Sequence, residues 1–163
     1  MKRYATLILT ALAAVALDSA VFVQWTLYGV RPLLLLAAAL AACAALNVQS
    51  AILTAFLGGL VLDALTNSYL GLEAACNLLA VSVLWLLIRK NHPKRFVLFL
   101  YFCLCAALCT PLEWLYSYLL GAHHGGLQIW LTRALPSAVL TGAAALPIDR
   151  LFRRVSVSRR DRI

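Results

Sequence analysis

From Leu33 to Leu65 the chain is one apolar stretch, broken only by Asn47-Val48-Gln49-Ser50 and carrying a single charge, Asp63. A helix over all of it would be about 50 Å long at 1.5 Å per residue, and a bilayer's hydrocarbon core is only about 30 Å thick. The spacing therefore predicts two short helices, near 33–46 and 49–65, joined by a tight turn at Asn47. The rest of the chain has the same character. Of 163 residues, 64% are hydrophobic and 12% charged, with a mean hydropathy of +0.90. Soluble domains carry about twice that share of charge, so composition points to an integral membrane protein. In hydrocarbon every backbone polar group needs an internal partner, which leaves helices or a closed barrel. Unbroken apolar runs such as Pro32 to Leu46 lack the alternation of barrel strands. The expected fold is an all-α bundle of six transmembrane helices, near 4–25, 33–46, 49–65, 71–88, 96–120 and 128–152. It forms a single domain over 1–163 with a basic tail, 153–163.

Met1-Lys2-Arg3 and the following "YATLILTALAAVALDSA" imitate a secretory signal. The apolar character resumes in "VFVQW", giving about 22 residues, enough to span, and an uncleaved first helix is expected. Six spans with the N-terminus inside leave only Arg31 and Arg133 of the fourteen Lys and Arg at the outer side. Fusing the second and third helices would invert that bias, against the positive-inside rule. Both termini are therefore expected in the cytoplasm. The net charge of +8 is explained without nucleic acid. The tail "RLFRRVSVSRRDRI" reads as a topology anchor that contacts anionic lipid head groups, with docking of a cytoplasmic partner as the other reading.

Four of the six acids share the outer half of this topology: Asp18, Asp63, Glu73 and Glu113. Ionisable groups within a span are usually turned inward and paired. Arg31 and Arg133 are the basic residues at that side. These six form the candidate outer polar cluster, and Asp18 and Glu113 are the leading partners for Arg133. Blander readings stand beside it. Glu73 can complement the helix dipole, and Asp63 can be solvated or cap a loop. Asp149 and Arg153 read as a helix-surface pair.

Other features speak for packing. Gly58-Gly59 and Ala37, Ala41 and Ala45 permit close helix approach. Pro111, Pro136 and Pro147 fall inside helices, and Trp25, Tyr28, Trp114, Tyr116, Tyr118 and Trp130 gather toward the outer interface. Cys43, Cys76, Cys103, Cys105 and Cys109 read as buried thiols. His123-His124 without a further ligand is a poor metal signal. No catalytic, cofactor or metal motif is evident, and no cofactor is expected.

"YGVRP", a small-residue turn and then "GGLVLDALTNSYLGLEA" resemble the MreD family of the bacterial rod-shape system. The matching residues are Gly59, Asp63, Leu70 and Gly71, with Arg31-Pro32 upstream; the closing "PIDRLFRR" also resembles the family's basic end. The chain departs from the pattern at Leu33, where an acid is common, and at the uncharged "NVQS" turn. The resemblance implies a six-helix fold similar to the substrate-binding subunits of energy-coupling-factor transporters. It also implies a non-catalytic scaffold role in the inner membrane. The implied partners are an MreC-like bitopic protein, the elongation polymerase and transpeptidase, and, directly or indirectly, an MreB-like filament. On that resemblance Asp63 and Glu73 line or brace the outer end of the bundle. A small-solute-binding transporter subunit is the alternative.

Overall fold

The structure, a computed structural model, describes residues 2–20, 32–66, 71–89, 93–119 and 127–157. Arg31, Leu70, His123 and His124 lie outside them, as do the side chains of Glu113 and Arg133. Among the described residues there are six helices and no strands. They are α1 (Lys2–Ala20), α2 (Leu34–Ala45), α3 (Val48–Thr66), α4 (Leu72–Arg89), α5 (Arg95–Leu119) and α6 (Leu127–Val157). The uncapped apolar stretch does divide at Leu46-Asn47, two residues that are not helical. α6 continues to Val157, past the expected end at 152, so Arg153 and Arg154 belong to the helix rather than to a loose tail.

The arrangement follows from α2. It is the shortest of the six, 12 residues of Leu, Ala and Cys, hence about 18 Å long. A helix with no polar face has no side to give to water, so it is buried all round. All residues from Leu35 to Ala42 are buried. α2 touches each of the other five helices, and those five close a ring around it in the order α1, α3, α4, α5, α6 and back to α1. Its alanines allow that crowding, because a small side chain lets neighbouring backbones come near. α3 returns antiparallel from the turn, so that Gly58 near its far end meets Leu35 near the start of α2.

The ring helices are apolar on their outward faces as well. Leu9, Leu12, Leu53, Leu57, Leu86, Phe96, Leu100 and Leu135 are all more than half exposed, and α2 contributes no exposed large apolar residue. Polar residues meanwhile sit inside: Asp18, Ser50, Thr54, Asp63, Glu73, Asn77, Ser137, Thr141 and Asp149 are buried. This is the reverse of the distribution that water selects. α3 and α4 contain 18-residue windows, Val48–Leu65 and Leu72–Arg89, long and apolar enough to cross a membrane. The apolar stretches Leu7–Ser19, Leu34–Ala45 and Arg95–Cys109 are shorter.

Hydroxyls inside the bundle are satisfied within their own helices. Thr54 Oγ1 donates to the Ser50 carbonyl and Thr141 Oγ1 to the Ser137 carbonyl, each at 2.8 Å. Back-bonding of this kind lets Ser and Thr sit in apolar surroundings at little cost.

Candidate functional site

A buried helix start is a problem in itself. Its first N–H groups have no intrahelical acceptor, and burial removes water as a substitute. α2 begins after Pro32-Leu33, and Leu33 has no side chain able to cap. Acceptors must come from other helices. Asp18 on α1 supplies two: Leu34 N donates to its Oδ1 at 3.1 Å and Leu35 N to its Oδ2 at 2.9 Å. Thr141 on α6 supplies the third, accepting from Leu33 N at 3.0 Å on the same oxygen that donates to Ser137. The carboxylate also lies at the positive end of the α2 dipole. Two helices, α1 and α6, thus converge on the start of a third.

The same device recurs between α3 and α4. α4 opens with Gly71-Leu72-Glu73, again without its own capping side chain. Asp63, only 1% exposed, accepts from Gly71 N through Oδ2 at 2.8 Å and from Glu73 N through Oδ1 at 3.2 Å. Gly71 has φ +94° with open space around it, a conformation that side chains resist and glycine adopts freely. Gly59, one turn before Asp63, is where the two helices cross closely. A Cβ there would lie 2.5 Å from the Ala74 Cα and 2.7 Å from its N, so no larger residue fits without parting the helices. Three of the four residues that carry the MreD likeness, Gly59, Asp63 and Gly71, therefore form a single junction between α3 and α4.

The six expected cluster residues fare differently. Asp18, Asp63 and Glu73 are buried at helix junctions. Glu73 does lie in the first turn of α4, beside the positive end of the helix. The two oxygens of Asp18 accept from the start of α2. Position 113 lies four residues beyond Cys109, whose thiol donates to the Cys76 carbonyl of α4 at 3.4 Å. Position 133 lies four residues before Ser137, itself buried. The expected contact between Arg133 and an acid falls on side chains outside the described residues, and so does Arg31.

Asp149 and Arg153 form the helix-surface pair read from their spacing, with Arg153 Nε 2.8 Å from Asp149 Oδ2. No group of three His, Cys, Asp or Glu side chains is placed to hold a metal among the described residues.

Sequence reading missed Thr141, Ser137 and Asn77. Ser137 and Thr141 carry a faint signal, two hydroxyls four residues apart in the otherwise apolar run from Ala134 to Ile148. Asn77 lies one turn beyond Glu73 on α4 and is 2% exposed, so the inward face of that helix is polar over its first two turns. The use of Asp18 was also legible in principle: a start made of Pro-Leu inside an apolar run requires an acceptor from elsewhere.

The arrangement can fix helices relative to one another. A carboxylate that accepts two backbone N–H groups is a strong, directional anchor, and each such anchor joins consecutive helices. No family model, curated protein or solved structure matches the chain.

Proposed function

We propose that the chain is a multi-pass protein of the bacterial cytoplasmic membrane, with both termini in the cytoplasm, and a non-catalytic scaffold subunit of the cell-elongation machinery similar to MreD. The membrane placement is supported by the inside-out distribution of the bundle: large aliphatic side chains on the ring's outer faces, carboxylates and hydroxyls within. Hydrocarbon is the solvent in which that distribution has the lower free energy. α2, at about 18 Å, is too short to cross alone and lies wholly against protein, a setting that permits a broken apolar segment at membrane depth.

The scaffold role rests on one observation above the others. The residues by which the sequence resembles MreD, Gly59, Asp63 and Gly71, are joined as one helix junction rather than scattered. The spacing of the motif thus has a physical cause, and a motif that specifies an architecture is a better marker of kinship than a chance match. From the architecture to the partner is a step of analogy. The partners that analogy supplies are an MreC-like bitopic protein and, through it, the elongation polymerase, the transpeptidase and an MreB-like filament.

Depletion in a rod-shaped host tests this: cells should round up, and an MreC-like protein should co-purify with the tagged chain. Rods that persist, with a new requirement for a vitamin, would replace the scaffold by a solute-binding transporter subunit. The polar inward face of Glu73 and Asn77 is the observation that keeps this second reading in view. For topology, reporter fusions after Lys94 and Ser156 should read cytoplasmic and a fusion at His124 external. An external signal at Lys94 would discard the six-span arrangement.

A further inference from the structure

The end of α4 and the start of α5 make a corner unlike any other part of the described surface. Arg89, the last residue of α4, is exposed and stacks over the exposed Trp85, its guanidinium carbon 5.1 Å from the ring centroid. Lys94 and Arg95 stand exposed at the head of α5. Large apolar side chains are interleaved with these cations: Leu86 lies three residues before Arg89, and Phe96, 75% exposed, directly follows Arg95. α6 packs beside α5 and brings exposed Arg150 and Arg154 to the same end. Asp149 is the one acid there among the described residues, and Arg153 already engages it. The α2–α3 turn at that end, Leu46 to Ser50, has no charge at all. Among the side chains described at that end, the positive charge lies on α4, α5 and α6.

We propose that this corner binds an anionic glycerophospholipid, its phosphate held by Arg89 and Arg95 and its acyl chains lying along Trp85, Leu86 and Phe96. The proposal rests on the membrane placement above. An acidic protein segment would meet the same cations, but it has no use for bare Phe96 and Leu86 within a turn of them. An amphiphile with a negative head does. The Arg89–Trp85 stacking also holds one guanidinium at the apolar boundary, where a phosphate oxygen could accept from its free N–H groups. A lipid such as phosphatidylcholine presents the same phosphate beside a quaternary ammonium, which these cations repel.

The experiment uses the full chain in lipid nanodiscs with Trp25, Trp114 and Trp130 replaced by Phe, so that Trp85 is the only indole. Bromine-labelled phosphatidylglycerol and bromine-labelled phosphatidylcholine are then compared as quenchers. Phosphatidylglycerol should reach half-quenching at a mole fraction about fivefold lower, the factor expected for one basic side chain near an anionic surface. The preference should disappear in R89Q/R95Q, whose substitutions touch no buried residue. Equal quenching by both lipids, or a preference that survives R89Q/R95Q, overturns the headgroup site and leaves the cations to topology or to an acidic protein. Quenching by neither lipid overturns the membrane placement itself. If the three Phe substitutions prevent folding, native mass spectrometry of the otherwise unaltered chain reads the same preference: retained phosphatidylglycerol in the parent, and its loss in R89Q/R95Q.

Discussion

The two carboxylate junctions use one chemistry and differ in reach. Asp63 caps a helix that begins eight residues later, through Gly71 and Glu73, within a single pair of neighbouring helices. Asp18 caps a helix that begins sixteen residues later, and the cap is complete only when Thr141 arrives from α6. The first junction is local and self-sufficient, a helical hairpin that closes as soon as its two arms exist. The second is a tertiary assembly of three helices around the start of α2. Gly71 and Leu34 are half-buried while Glu73 and Leu35 are buried, so each carboxylate caps one group of each kind, and only the α2 start adds a third bond, from buried Leu33. One device thus stabilises a hairpin in one place and closes the whole bundle in another.

That contrast orders the expected effects of breaking each. The largest belongs to Asp18→Ala, which strips one buried and one half-buried N–H group of their acceptor at the start of the central helix. A loss of about 3–4 kcal/mol is expected, from a cost of roughly 1–3 kcal/mol per unsatisfied buried group. Thermal unfolding of the purified protein in detergent measures it. A loss no greater than that of an exposed polar substitution would show that α2 does not depend on α1 for its cap.

Asp63→Ala should cost less, about 2 kcal/mol, since its junction joins one pair of ring helices and no third helix depends on it. The comparison sharpens if proteolysis is followed beside unfolding. Asp63→Ala should open cleavage between α3 and α4 while α2 stays protected, and Asp18→Ala should expose the whole bundle. Equal cleavage patterns would remove the distinction between a local and a tertiary junction.

The smallest effect is expected for Thr141→Val, which keeps the shape and removes one acceptor, at about 1 kcal/mol. Its value lies in coupling. Combined with Asp18→Ala it should show non-additivity of about 0.5 kcal/mol or more, because both side chains hold the same helix start. Combined with Asp63→Ala it should be additive. Coupling of the reverse kind would mean that Thr141 communicates with α4 and not with α2.

Much of this architecture was readable from composition and spacing. Six apolar segments, the division at Asn47 and the pairing of Asp149 with Arg153 follow from period and length, properties of one segment at a time. The membrane reading needed only the scarcity of charge. Gly59, Asp63 and Gly71 were conspicuous as a motif, and their closeness in sequence hinted at a shared junction. The candidate cluster was harder. Grouping Asp18, Arg31, Asp63, Glu73, Glu113 and Arg133 by depth drew together three acids that are buried, Asp18, Asp63 and Glu73, but depth does not tell a side-chain partner from a backbone one. Asp18 illustrates the gap. Opposite charges advertise themselves in a sequence, whereas unpaired N–H groups are present at every residue and go unnoticed.

What the sequence by itself determined is the apolar character of the chain and the number of helices among the described residues, because hydrophobicity and helix length are summed along the chain. Which helix is central, and which acid caps which start, only the tertiary structure decided. α2 and α3 are both apolar, and nothing in their composition ranks one as core and the other as rim. The ranking comes from ring closure: a short helix with alanines on every side is the one that five others can surround. Asp18 reaches Leu34 and Leu35 only because that closure brings α1 against the head of α2. A hydrogen bond over such a separation exists once the fold has formed and has no counterpart in the linear pattern.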